Sequence, residues 1–132
     1  MVIDSSALIA ILLGEPGADR FTGALNEAPS LLMSAASVLE TSMVIDSRLG
    51  DMAAKILDRW LETTPIEIVV VTRNQIEVAR EGFRRFGKGR HPAGLNFGDC
   101  FSYALAKVSG ESLLYQGEDF SKTDISPAIG PR

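Results

Sequence analysis

The sequence predicts an α/β fold in which helices cover both faces of a parallel sheet, and three observations carry that prediction. Short apolar stretches (Met1-Val2-Ile3, Leu31-Leu32-Met33, Ile66 to Val71 and Leu113-Leu114-Tyr115) alternate with segments of helical periodicity, the pattern of strand–helix–strand units joined by right-handed crossovers. The run Ile66-Glu67-Ile68-Val69-Val70-Val71 is β-branched and nearly continuous, as expected of a strand buried on both faces. Carboxylates recur where a strand ends or a helix starts, and in a parallel sheet those ends share one rim.

Taken in order, Met1-Val2-Ile3 is a minimal strand that Asp4-Ser5-Ser6 brings to an end. These are helix-capping types, and Ala7 to Leu13 reads as a short helix closed by Gly14-Glu15-Pro16-Gly17. Asp4 alone therefore has two readings, a helix cap or a rim carboxylate. Ala18 to Asn26 is amphipathic, with Phe21 and Leu25 inward, and Ser34 caps a helix running to about Leu49. Within that helix Glu40 shares a face with Ala36, Met43 and Val44, so a carboxylate interrupts an apolar stripe. Buried, it must be paired, hydrogen-bonded or bound to a metal; a narrower stripe would leave it exposed. Asp51 caps the next helix, which aligns Met52, Ile56 and Trp60, and Thr63-Thr64-Pro65 stops it. Thr72 caps the helix after the Ile66 strand, with Ile76, Ala79 and Phe83 as its apolar contacts. Leu95 to Gly98 reads as a loop before a helix with Asp99 in its first turn and a stripe of Phe101, Ala104, Leu105 and Val108. Gly110 breaks that helix, the Leu113 strand follows, and Asp119 lies just past it.

At 132 residues, 45% hydrophobic and 23% charged, the chain suits one globular domain with its own core. Ala7 to Leu13 is too short to span a bilayer, and Asp4 rather than Lys or Arg precedes it, so the expectation is a cytoplasmic protein with no membrane segment. Cys100 and His91 are each the only residue of their kind. That excludes an internal disulfide, a zinc site of the Cys/His type and a nuclease working through two histidines. The net charge of −4 conceals an uneven spread: Arg80, Arg84, Arg85, Lys88 and Arg90 stand against Glu81 alone, a segment of +4 that leaves −8 elsewhere. Gly82 to Gly94 interleaves those cations with Phe83 and Phe86. Cations and aromatics on a flexible, glycine-rich backbone fit phosphates and unstacked bases, although a solvated helix end whose cations complement the macrodipole explains them equally.

Asp4 and Asp119 fall at strand ends, Asp99 at a helix start and Glu40 on a helix face expected to pack inward. Four carboxylates around one rim repel one another unless something positive lies between them. With no His/Cys cluster available, oxygen donors call for a hard cation, Mg²⁺ or Mn²⁺, and such a site suits phosphodiester hydrolysis.

The opening MVIDSSALIAILLGEP, the stretch SAASVLE ending at Glu40, LNFGDCFSYALA around Asp99 and LLYQGEDFSKTDI around Asp119 together resemble the PIN-domain ribonucleases, and among them the VapC toxins of type II toxin–antitoxin pairs. The resemblance implies a three-layer α/β/α PIN-like fold with a parallel sheet of about five strands, residues 1–132 forming a single PIN domain. It maps the family's acidic quartet to Asp4, Glu40, Asp99 and Asp119, binding Mg²⁺ or Mn²⁺. Asp4 and Asp99 would hold the principal ion, Glu40 would position the attacking water or complete the shell, and Asp119 would act through water or hold a second ion. Glu118 stands beside Asp119 and leaves the identity of the fourth acid open, and Ser5 replaces a frequent Thr. The implied reaction is endonucleolytic hydrolysis of single-stranded or looped RNA to a 5′-phosphate and a 3′-hydroxyl. The implied partners are a VapB-like antitoxin and a second toxin copy, with Leu12, Leu13 and Trp60 serving an interface or the core. The segment Arg80 to Arg90 is the candidate RNA guide, a reading that no family motif supplies.

Two alternatives remain at this level. A receiver-like signalling module is also doubly wound, but it needs an acidic pair after the first strand and an acceptor Asp after the third, where this chain has one Asp followed by two serines and then Thr72. A degenerate PIN fold that only binds partners would not need the four acids the chain retains.

Overall fold

The computed structural model describes residues 1–130. Its elements are β1 (Val2–Ile3), α1 (Ser5–Leu13), α2 (Ala18–Glu27), β2 (Leu31–Ser34), α3 (Ala35–Leu49), α4 (Met52–Thr63), β3 (Ile66–Val69), α5 (Arg73–Phe86), α6 (Phe97–Ser109), β4 (Leu113–Leu114) and a 3₁₀ turn (Phe120–Lys122). All strand pairs are parallel, in the order β3-β2-β1-β4. Successive residues of a strand face opposite sides of a sheet, and here they enter different cores. Val2 and Leu113 pack with Tyr103, Leu105, Phe86 and Phe120, whereas Ile3 and Leu114 pack with Leu8, Met33, Ile45 and Leu57. Two cores on a single sheet make the three-layer α/β/α architecture that the sequence implied.

The sheet has four strands, not about five. The place beside β4 is taken by a single parallel bridge between Leu113 and Pro127, closed by Leu113 N–H to Ser126 O (2.9 Å) and Ala128 N–H to Leu113 O (2.8 Å). Proline has no N–H to extend the ladder. The Ile66 strand also differs from its reading. It is an edge strand of four residues, and Ile68 is 46% and Val70 70% exposed. Its register, Leu31 opposite Ile66 through Ser34 opposite Val69, explains its length: β2 ends where Ser34 turns away to cap α3, and β3 then has nothing to pair with.

The helix faces need similar corrections. On α3 the buried line is Ser37, Thr41 and Ile45, and Met43 is exposed. On α5 the buried residues are Gln75, Gly82 and Phe86, with Ile76 and Phe83 facing outward. Asp51 precedes α4 without making a capping bond. Leu95 to Gly98 is not all loop, because Asn96 caps α6 and Phe97 and Gly98 form its first turn. Leu105 and Ala104 of its expected stripe are buried, while Val108 is exposed. Leu12, Leu13 and Trp60 are half-buried against the first core, so they complete it. Among the described residues, no helix is long and apolar enough to cross a membrane.

Helices α5 and α6 approach closely at Gly82, where a Cβ would lie 2.5 Å from two ring carbons of Tyr103. That ring cannot retreat freely, since its hydroxyl donates to Asp124 Oδ1 (2.9 Å). Gly82→Val should overpack this contact and destabilise the protein by about 1–3 kcal/mol, a loss to be read from urea unfolding against the wild type.

Candidate acidic active site

In the strand order β3-β2-β1-β4, the chain builds outward from β1 on one side and returns to its other side with β4. The crevice at the carboxyl ends of β1 and β4 is thus a topological switch point, the usual location of a site in an open α/β sheet. Asp4 stands there, its N–H bonded to Leu114 O (2.9 Å). It is only 2% exposed, yet both carboxylate oxygens have donors. Oδ2 accepts from the Ser6 backbone N–H (3.0 Å) and hydroxyl (2.5 Å), and Oδ1 accepts from the Ser102 hydroxyl (2.5 Å). Asp4 is both helix cap and rim carboxylate. The Ser6 hydroxyl also accepts from Gln116 N–H (3.0 Å), which ties the start of α1 to the loop that carries Asp119.

Behind Asp4 runs a column of buried hydroxyls. Ser102 on α6 and Ser37 on α3 lie 3.3 Å apart. Because Ser102 gives its proton to Asp4, Ser37 is the donor between them. Thr41 in turn donates to the Ser37 carbonyl (2.8 Å). Sequence reasoning passed over Ser37 and Ser102. The available signal was spacing, since Ser102 follows Asp99 and Glu40 follows Ser37 by three residues, one helical turn, which places each pair on one face.

Glu40 is half-buried, and its Oε1 accepts from the Ser5 hydroxyl (2.6 Å). Its stripe was drawn wrongly, but its carboxylate still turns toward Asp4's neighbour Ser5 and toward the first turn of α6. Asp99, in that turn, closes a capping box with Asn96: Asp99 N–H donates to Asn96 Oδ1 (2.9 Å), and Asp99 Oδ2 accepts from Asn96 N–H (3.0 Å). Burial, opposed by the Asn96 N–H and reinforced by the negative charges of Asp4, Asp119 and Glu40, pushes the Asp99 carboxyl from 3.8 up to about 6. All four sequence-selected acids are therefore within electrostatic reach of one point. Asp119 and Glu118 are both exposed, but Asp119 is the one whose charge acts on Asp99. Burial and the Asp99 charge also push the Cys100 thiol up, away from any role as a thiolate nucleophile.

The donors are all hard oxygens, and burial, with a smaller contribution from their mutual repulsion, raises the proton affinity of Asp99. Among the described residues, no three carboxylate, His or Cys groups close into a ready-made metal cage. A small hard cation that retains several of its own waters is the ion such an open set accommodates.

The cations of the basic segment are all exposed. Two are partly neutralised, Arg84 by Glu81 (2.8 Å) and Arg85 by Asp124 (3.3 Å); among the described residues, Arg80, Lys88 and Arg90 form no ion pair. The backbone is ordered by structure, contrary to the flexible reading. Arg84 and Arg85 belong to the last turn of α5, and Leu95 N–H to Phe86 O and Lys88 N–H to Leu95 O (both 2.9 Å) pin the following turn. Leu95 immediately precedes the cap of α6, so the segment ends beside the turn that carries Asp99.

The family model of the PIN domain matches residues 1–126. Ribonuclease VapC30 of Mycobacterium tuberculosis is 51% identical over 131 residues, 99% of this chain and all of that protein. Ribonuclease VapC of Mycolicibacterium smegmatis is 54% identical over 126 residues, 96% of this chain and 98% of its own. The crystal structure of Mycobacterium tuberculosis VapC20, a Sarcin-Ricin loop cleaving toxin, superposes with a TM-score of 0.79 at 22% identity and 98% coverage of both chains, which supports the fold.

Two outcomes follow from this geometry. Ser102→Ala removes a buried donor from Asp4 and should destabilise the protein by about 1–3 kcal/mol, less so in an Asp4→Ala background; urea unfolding of the four proteins checks it. For Asp99, the folded carboxyl (about 6) lies above its ordinary 3.8, so the folded state binds the proton more tightly. This contribution is complete below the lower value and lost as pH rises through the upper one. In EDTA, Asp99→Asn should therefore melt higher than wild type at pH 7.5, and the gap should close toward pH 5.

Proposed function

Because the chain belongs to the PIN-domain family, we propose that it is a VapC-type toxin, an endoribonuclease that uses Mg²⁺ or Mn²⁺ to hydrolyse RNA phosphodiester bonds at Asp4, Glu40, Asp99 and Asp119. The observation that carries this reading is the gathering of the acids at one rim, with Asp4 at the end of β1 and Glu40 against the turn of α6 that carries Asp99, an arrangement that is unfavourable alone and relieved by a cation. Asp4 and Asp99 would hold the principal ion, with Glu40 and Asp119 completing its shell through water. A bound ion supplies charge stabilisation at the phosphoryl group and activation of water. Ser6 and Ser102 hold Asp4 with one lone pair of Oδ1 still available, and Ser5 holds Glu40 where it can accept a proton or orient a water. Arg80, Lys88 and Arg90, which lack ion pairs among the described residues, are the strongest candidates to meet RNA phosphates; Arg84 and Arg85 would first have to leave their carboxylates.

The relatives named VapC support a VapB-like antitoxin as partner, and we place the protein in the cytoplasm as a single PIN domain over residues 1–132. A toxin homodimer is the remaining part of the reading. Exposed apolar side chains such as Phe97, Leu39 and Met43 supply surface of the kind that association buries.

The test is cleavage of a mixed tRNA and rRNA pool by antitoxin-free protein, in Mg²⁺ and in EDTA, wild type beside Asp99→Asn. Turnover should require metal and fall by about a hundredfold or more in the variant, since metal stabilisation of the transition state is worth several kcal/mol. Unchanged turnover by Asp99→Asn would refute the site. A folded, metal-loaded wild type that cuts nothing in the pool would favour a binding-only PIN domain.

A further inference from the structure

We propose that Gly98 is a positioning residue for Glu40, and that the lack of a side chain at position 98 is what admits the Glu40 carboxylate to the acidic site. The inference rests on the site reading given above and adds to it a residue that touches neither substrate nor ion. Gly98 occupies the first turn of α6, between the cap Asn96 and the acid Asp99. Its φ is not in the left-handed region, so the backbone there does not require glycine. What requires it is space. A Cβ at position 98 would fall on the Glu40 carboxylate, within 2.7 Å of its carbon and of Oε1 and still closer to Oε2. The carboxylate thus occupies the volume that any other residue's side chain would fill.

Two forces hold it there. The Ser5 hydroxyl donates to Oε1 at 2.6 Å, and the first turn of a helix, with its unsatisfied N–H groups, favours a nearby negative charge. These oppose the repulsion from Asp99, one residue further along. A methyl group at position 98 leaves α6 intact but moves Glu40 away from the Ser5 hydroxyl and from the helix end. Since alanine is the better helix former, the substitution should not weaken the fold. Loss of function with stability retained or increased is the signature that separates positioning from a structural role.

The experiment compares wild type, Gly98→Ala, Glu40→Gln and the double variant by three readouts: Mn²⁺ affinity by calorimetry, RNA turnover in Mg²⁺, and melting temperature in EDTA. Gly98→Ala should lower Mn²⁺ affinity and turnover by about ten- to a hundredfold, the range for residues that orient metal ligands, while melting no lower than wild type. The double variant should be no worse than Glu40→Gln alone, because Gly98 acts only through that carboxylate. Wild-type affinity and turnover in Gly98→Ala, beside a defective Glu40→Gln, would overturn the role of Gly98 and leave the site reading standing. Losses that multiply in the double variant would also overturn it. A Glu40→Gln variant with unaltered Mn²⁺ affinity and turnover would overturn the site reading and this inference together.

Discussion

The structure is organised around a buried carboxylate held by hydroxyl groups. Asp4 is almost wholly out of solvent, and its partners among the described residues are serine hydroxyls and one backbone N–H. Burying such a group is expensive unless its lone pairs are satisfied, and satisfying them draws in the surrounding elements. Ser6 begins α1, Ser102 comes from the middle of α6, Ser37 stands behind it on α3, and Gln116 from the loop after β4 closes on Ser6. Ser6 and Ser102 bond to Asp4 directly, and Gln116 and Ser37 reach it through them, so α1, α6, α3 and the loop after β4 are all tied to the end of β1. Among the described residues, no buried side-chain nitrogen or oxygen lacks a partner, so this polar core is satisfied, the condition under which such a network specifies one arrangement.

The remaining acids are arranged by different means. Asp99 is fixed by its own capping box, a local device worked out within four residues. Glu40 depends on packing, with Ser5 on one side and the bare backbone of Gly98 on the other. Asp119 is exposed at the head of a 3₁₀ turn and is the least constrained of the four. The gradient from a fully held Asp4 to an exposed Asp119 is the arrangement the proposed division would use, between acids that fix a cation's position and those that act through its water.

Much of this was legible beforehand for identifiable reasons. The alternation of strands and helices, the caps at Ser34 and Thr72, and the inward Phe21 and Leu25 depend on local periodicity and capping chemistry, and the structure agrees on each. Readings failed where the answer depended on a neighbour. The Ile66 strand is apolar enough for a central position, yet it lies at an edge with β2 as its one neighbour and stops where β2 ends. Glu40 was selected through a stripe that is not the buried one, and it reaches the rim through side-chain length and the space at Gly98. Gly98 reads as part of a loop and Gly82 as the start of the glycine-rich basic segment, and only the partner helix reveals that each accommodates another residue's side chain.

By itself the sequence determined the α/β class, the choice of four rim carboxylates as the candidate site, the oxygen-only character of that donor set and the exclusion of an internal disulfide, a Cys/His zinc site and a two-histidine nuclease. These follow from composition and from periodicities of two and 3.6 residues, which are properties of the chain alone. Only the tertiary structure decided that Ser102 and Ser37 support Asp4, that the basic segment is partly neutralised by Glu81 and Asp124, and that the sheet stops at four strands. Each of those depends on distances between residues far apart in the chain, and such distances are set by how whole elements pack.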